Sequence, residues 1–396
     1  MTLDPPTLLD PGAWLDRPGV KRLLKAVGGD QGETRLVGGA VRDLLLGETP
    51  GDLDLATGHS PHEVIRRLEA AGIKAIPTGI EHGTITAVAS GTLVEVTTLR
   101  ADLATDGRRA TVAFTDDWRG DAARRDFTIN ALYADPFSGE LFDYFGGLDD
   151  LRDRRVRFIG EPLQRIAEDH LRILRYFRFH ARYGVNAPDP AALAACAARA
   201  NDLMALSRER IADEVLKLLA LPDPTATVAL MIEHGLFVPV LPEITSAEAL
   251  AALVAAERAA AIAPAALRRL AALLPRDPAT ADKVAARLKL SKKARKRLAL
   301  AADSALGSSI HSLAYRAGTE AAVDRLLLAG QPQDAVEVAA WPVPRLPVSG
   351  GQLIARGIAQ GPAVARALKR IEQAWERAGF PSGTMIARLI DDEVPR

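Results

Sequence analysis

The chain has almost no cysteine, no long apolar run and no excess of either charge, and each shortage excludes something. Cys196 is the only cysteine in 396 residues, so no internal disulfide can staple the fold. That usage fits a reducing compartment, and a cytoplasmic location is the expectation. The seven histidines are scattered, and no Cys/His cluster has the spacing of a zinc site. No run of about 18 apolar residues exists, so no membrane span is expected. Between Met1 and Asp10 no basic region leads into an apolar block, as a secretory signal would require. Fifty basic residues balance fifty acidic ones, which excludes a uniformly basic nucleic-acid binder.

What is present is ordinary for a globular protein, with 48% hydrophobic and 25% charged residues and length enough for two or more domains. The first ~140 residues read as mixed α/β. Short strands are expected at 35–37 and 53–56, separated by a helix that begins near Ala40. Ser60-Pro-His-Glu63 predicts a helix start with Ser60 as N-cap and Glu63 closing a capping box, and Gly72 ends that helix. Residues 85–89 and 93–98 predict a hairpin around Ser90-Gly91. After about Leu148, Ala/Leu/Arg-rich helical patterns take over, and Pro342, Pro344 and Pro347 with Gly350 and Gly351 mark a late boundary. Basic residues concentrate at 283–297 and among the arginines of 152–178, either as phosphate-holding patches or as solvated helix faces.

The densest chemical signal is Leu36-Val-Gly-Gly-Ala-Val-Arg-Asp-Leu-Leu-Leu-Gly47 with Asp52-Leu-Asp54 just behind it. Gly38 and Gly39 open a helix whose backbone N–H groups can approach a polyphosphate. Arg42, one turn in, is placed near a triphosphate; the alternative is a surface pair with Asp43 or Glu48. On a strand, Asp52 and Asp54 point to one face and can grip a divalent cation together. Glu95, in Val94-Glu-Val-Thr-Thr-Leu-Arg100, is the candidate third acid, against the alternative of a solvated strand face. In Arg124-Arg-Asp-Phe-Thr-Ile-Asn-Ala-Leu132, Arg125 can contact triphosphate or ribose, and Asn130 a sugar hydroxyl or a turn. Asp126 is read as orienting Arg125, while Phe127, Ile129 and Leu132 are read as core. Residues 168–182 read as one helix on which Asp169, Arg172 and Arg175 share a side and Arg178 follows, with Leu171, Leu174 and Phe177 on the packed stripe. Alone, that pattern would be an ion-pair ladder.

Taken together, 36–54, 124–132 and Glu168-Asp-His-Leu-Arg-Ile-Leu-Arg175 resemble the class II CCA-adding tRNA nucleotidyltransferase and bacterial poly(A) polymerase family. Pro347-Val-Ser-Gly through Trp375 is similar to the family's tail, whereas 190–340 matches in helical character only. The resemblance implies an α+β fold: a nucleotidyltransferase-type α/β head with a small mixed sheet, followed by a helical neck, body and tail. Expected boundaries are 1–148 for the head, 149–220 for the neck, 221–340 for the body and 341–396 for the tail. It implies addition of C, C and A to the 3′ end of tRNA from CTP and ATP, with Mg²⁺ on Asp52 and Asp54 in a two-metal transfer that releases pyrophosphate. Asp169 and Arg172 would read the base, with Arg175 and Arg178 as further nucleotide contacts. Base chemistry supports that role: cytosine and adenine pair an exocyclic amine with a ring-nitrogen acceptor, which an Asp and an Arg complement. Uracil and guanine present a carbonyl and a ring N–H there, so both contacts become repulsive. Residues 100–118 are expected to form the family's flexible loop between catalytic motifs. Poly(A) polymerase, a CC- or A-only enzyme and a silent tRNA-binding protein are the competing readings.

Overall fold

The computed structural model describes residues 8–105, 110–185 and 187–392, with side chains outside 101–112. The chain divides into two compact units, Met1–Glu214 with Glu233–Val240, and Val215–Ile232 with Leu241–Arg396. The first unit holds a mixed sheet built from β1 (Thr34–Val37), β2 (Leu53–Thr57), β3 (Lys74–Gly79), β4 (Thr84–Ala89) and β5 (Thr92–Thr98). Two later short strands join it after the hairpin of β6 (Arg100–Thr105) and β7 (Ala110–Phe114). These are β8 (Leu132–Ala134) and β9 (Leu141–Asp143). Strand order in the sheet is β3-β4-β5-β2-β1-β8-β9, and β2 with β5 is its parallel pair. Val94 and Val96 are buried in the core while Glu95 between them is exposed, the alternation that a half-buried strand dictates.

Most expected elements form where their residues demand. Ser60 Oγ accepts from the Glu63 N–H at 3.3 Å, and the Pro61–Ala70 helix ends before Gly72, whose φ is +65°. Glu63 does not close the expected capping box. Its carboxylate pairs instead with Arg66 and Arg67, whose guanidiniums outcompete a backbone N–H. The β4–β5 turn uses Ser90 and Gly91, both at positive φ, as the hairpin requires. Residues 100–118 are not simply a loop: β6 and β7 pair antiparallel from Arg100↔Phe114 to Thr105↔Ala110. Asp106-Gly-Arg-Arg109, within that expected loop, lies outside the described residues.

The second unit is helical. Its chain leaves helix at the expected prolines, between Pro332–Ala340 and Gly350–Ala355. Among the described residues no helix is long and apolar enough to cross a membrane.

Candidate active site

Gly38 follows β1 and takes the N-cap position of the Gly39–Leu45 helix at φ +70°, ψ −124°, a conformation open essentially to glycine. A Cβ there would stand 3.4 Å from Arg125 Nη1 and 3.5 Å from the Asn130 carbonyl. No side chain caps this helix, so its opening N–H groups are not taken by a cap. Gly38 and Gly39 face a cavity of about 530 Å³ within the first unit. Arg42, Asp54, Arg125, Asn130, Asp169, Arg172 and Arg175 line the same cavity, so nine of the twelve expected site residues converge there. Asp52, Glu95 and Arg178 are not among its lining residues.

The carboxylates sit on adjacent strands. Asp54 is in β2, and Glu95 of β5 stands directly opposite it in the parallel register. Asp52 is not on the strand as expected; it occupies the bend just before β2, and like Glu95 it is exposed. Burial pushes the Asp54 carboxyl up to about 6, Glu95 and Asp52 add to the rise, and Arg125 opposes it. Negative charge so concentrated would be relieved by a cation, and this donor set suits a hard divalent ion. Among the described residues no three acids, histidines or cysteines form a ready ligand group. The arrangement fits Mg²⁺, which takes one or two protein carboxylates and completes its shell with substrate phosphates and water.

Arg125 and Arg175 are held by buried acids. Arg125 donates to Asp121 Oδ2 at 3.1 Å and to Tyr133 Oη at 3.3 Å, and Tyr133 Oη donates to Asp121 at 2.7 Å. Burial would raise the Asp121 carboxyl, but Arg125 and Arg124 hold it below the usual range. Asp121, not Asp126, therefore orients Arg125. Asp126 serves the other side: its Oδ1 accepts from the Phe127 N–H and from Asn130 Nδ2, and its Oδ2 accepts from Arg175. Asn130 Oδ1 in turn accepts from Arg42, so Asn130 joins Arg42 to Asp126 at the cavity wall. Arg42 does pair with Asp43 at 2.8 Å, yet it is buried and lies over the Tyr183 ring at 4.3 Å, not on the surface.

The expected single helix at 168–182 is broken. The Pro162–Glu168 helix stops, Asp169 takes φ −152°, ψ 106°, and the Leu171–Tyr183 helix begins after His170. The local cause is the Asp169 side chain, whose Oδ1 accepts from the Leu171 N–H at 3.1 Å and offers the backbone an alternative to helix. Asp169 thus reaches the cavity from a helix junction, while Arg172 and Arg175 reach it from the helix. Leu171, Leu174 and Phe177 are buried as expected. Arg172 Nη1 donates to Glu168 at 2.6 Å and to the Arg165 carbonyl, and its Nη2 to the Arg124 carbonyl. Arg178 pairs with buried Glu214 at 2.6 Å. Arg100, Arg124, Asp126 and Phe179 also line the cavity without having been assigned a contact there. Asp126 was visible as an acid between Arg125 and Phe127; Arg100 carried no distinguishing signal.

Residues 34–157 match the family described as Poly A polymerase head domain, and residues 187–248 match the family described as Probable RNA and SrmB- binding site of polymerase A. The chain is 37% identical over 383 residues to mouse and human proteins named CCA tRNA nucleotidyltransferase 1, mitochondrial, covering 91% of this chain and 87% of each of them. The solved structure of the Bacillus stearothermophilus CCA-adding enzyme in complex with CTP superposes with TM-score 0.75 at 29% identity, covering 95% of this chain and 98% of that one. A Thermotoga maritima CCA-adding enzyme, solved with tRNA, shares the fold at TM-score 0.68 and 19% identity, over 95% of each chain. With 37% identity sustained across nine-tenths of its length, the chain belongs to the CCA-adding tRNA nucleotidyltransferase family.

Proposed function

We propose that this protein adds C, C and A to the 3′ end of tRNA from CTP and ATP, without a nucleic-acid template. One observation carries the reading: a single cavity gathers an uncapped glycine helix start, Asp54, and the acid and arginine suited to read a C or A edge. The tRNA 3′ oxygen attacks the α-phosphorus, the bond to the β-phosphate breaks, and pyrophosphate leaves. Mg²⁺ on Asp52 and Asp54 would activate the hydroxyl and steady the charge on the phosphate. Arg125, beside Gly38, and Arg42, beside Gly39, hold the triphosphate, and their buried partners fix both guanidiniums before substrate arrives. Asp169 accepts from the base amine and Arg172 donates to the ring nitrogen. Glu95 is assigned a supporting electrostatic role opposite Asp54. Head, neck, body and tail are assigned to 1–148, 149–220, 221–340 and 341–396. A cytoplasmic site of action is proposed on the single, buried Cys196, although the mammalian relatives are named as mitochondrial.

The test is incorporation of CTP and ATP into tRNA lacking its 3′ end. Ordered addition of C, C and A that then stops supports the reading; A-only addition overturns it in favour of a poly(A) polymerase. In the same assay Asp52→Ala should lower incorporation on the order of 10³-fold, with tRNA binding retained. Activity surviving that change removes the metal role.

A further inference from the structure

We infer that Arg210 is a positioning residue for base selection, holding the Asp169 carboxylate in the orientation that admits an amine and rejects a carbonyl. The inference rests on the reading that Asp169 meets the base. Arg210 lies on the Arg208–Leu219 helix, outside every motif that carried the family resemblance. Its Nη2 stands 2.8 Å from Asp169 Oδ2, while Oδ1 is held by the Leu171 N–H at 3.1 Å. A carboxylate offers about four lone-pair sites. With one site on each oxygen taken by the protein, the group is fixed about its last torsion, and the remaining sites are left for the cavity that Asp169 lines.

Fixing the group matters twice. An amine of cytosine or adenine meets an acceptor already in place, so no torsional freedom is lost on binding. A carbonyl of uracil or guanine meets a lone pair that cannot turn aside, so the repulsion is felt in full. Without Arg210 the Oδ2 end is free to swing, and both effects weaken.

The same helix face supports the rest of the reading set. Glu214, four residues on and 3% exposed, accepts from Arg178 at 2.6 Å and stands 3.7 Å from Arg175. Positive charge backs the selecting acid and negative charge backs the selecting arginines.

The test is single-nucleotide incorporation into trimmed tRNA by the full chain. The Arg210–Asp169 pair is half-exposed, which limits its strength to that of a surface ion pair. Arg210→Met should therefore raise KM for CTP and ATP about 2- to 5-fold with kcat little changed, and raise the UTP-to-CTP incorporation ratio by a similar factor. Arg210→Lys should recover part of both, and the thermal midpoint should not move. In an Asp169→Ala background Arg210→Met should add nothing. Glu214→Gln should raise KM for both nucleotides through Arg175. If Asp169→Ala loses C/A preference while Arg210→Met leaves KM and the UTP-to-CTP ratio untouched, the positioning role is wrong and the reading of Asp169 stands. If Asp169→Ala keeps full C/A preference, the reading of Asp169 itself falls.

Discussion

Asp126 shows how much one side chain is asked to do. Both of its oxygens are spent inside the protein, on the Phe127 N–H, on Asn130 and on Arg175, whose Nη2 lies 2.6 Å away. Burial alone would push its carboxyl up, yet Arg175 and the two N–H donors hold it below the usual range. A depressed folded-state pKa contributes stability that is present above the unfolded value, near ~3.9, and is lost as pH falls through the folded value. Asp126→Asn keeps the shape and removes the charge, leaving Arg175 short of its partner. At pH 7 the variant should be less stable by about 3 kcal/mol, the cost of breaking a buried pair. Urea midpoints measured from pH 7 downward should show that gap closing below about pH 4. A gap independent of pH would mean that packing, not the ion pair, holds this corner of the site.

At the scale of elements, the glycine-opened helix is the part of the site most exposed to a small change. Gly38 sits at a φ/ψ that a Cβ resists, and the added atom would stand in van der Waals contact with Arg125 and the Asn130 carbonyl. Gly38→Ala should cost on the order of 1–3 kcal/mol in unfolding free energy and raise KM for CTP, read by urea titration and by initial rates. An unchanged KM would show that triphosphate does not approach this turn. This helix was legible in the sequence because paired glycines between a strand and an apolar period have few other uses, and the Ser90-Gly91 hairpin was legible for the same kind of reason. Other elements were not. β3 is largely exposed and lacks an apolar alternation, and β8 is three residues long, too short for any period to show. The break at Asp169 was hidden because apolar spacing runs on through it, and only the side chain's bond to Leu171 reveals the junction. Within the site, the motifs named the arginines, but not the partners that hold them. Asp121 lies only four residues from Arg125, but Glu214 and Arg210 lie 36 to 41 residues from the groups they bind, a separation that only tertiary packing closes.

Across the whole molecule, neutrality is achieved by pairing charges in place. The helical unit buries a connected set in which Glu257 accepts from Arg268 and Arg269, and Asp324 accepts from Arg268 and Arg297. Glu257, Arg268, Arg269 and Asp324 are each at most 3% exposed, and Arg269 also donates to the Leu219 and Pro222 carbonyls. Four helices are tied by this set, so it organises the unit that holds no part of the nucleotide cavity. Removing Glu257 leaves buried Arg269 with no carboxylate and Arg268 with Asp324 alone, which is far worse than losing the pairs altogether. Glu257→Ala should destabilise the helical unit by about 3–5 kcal/mol, seen as an earlier transition in urea. Because every residue lining the cavity belongs to the first unit, CTP affinity measured by calorimetry should stay within twofold (about 0.4 kcal/mol) of the parent under native conditions. Incorporation into tRNA should fall instead, since a long RNA substrate needs more of the protein than a nucleotide does. A parallel loss of CTP affinity would show that the cavity depends on the helical unit, and the separation of nucleotide selection from RNA holding would have to be abandoned.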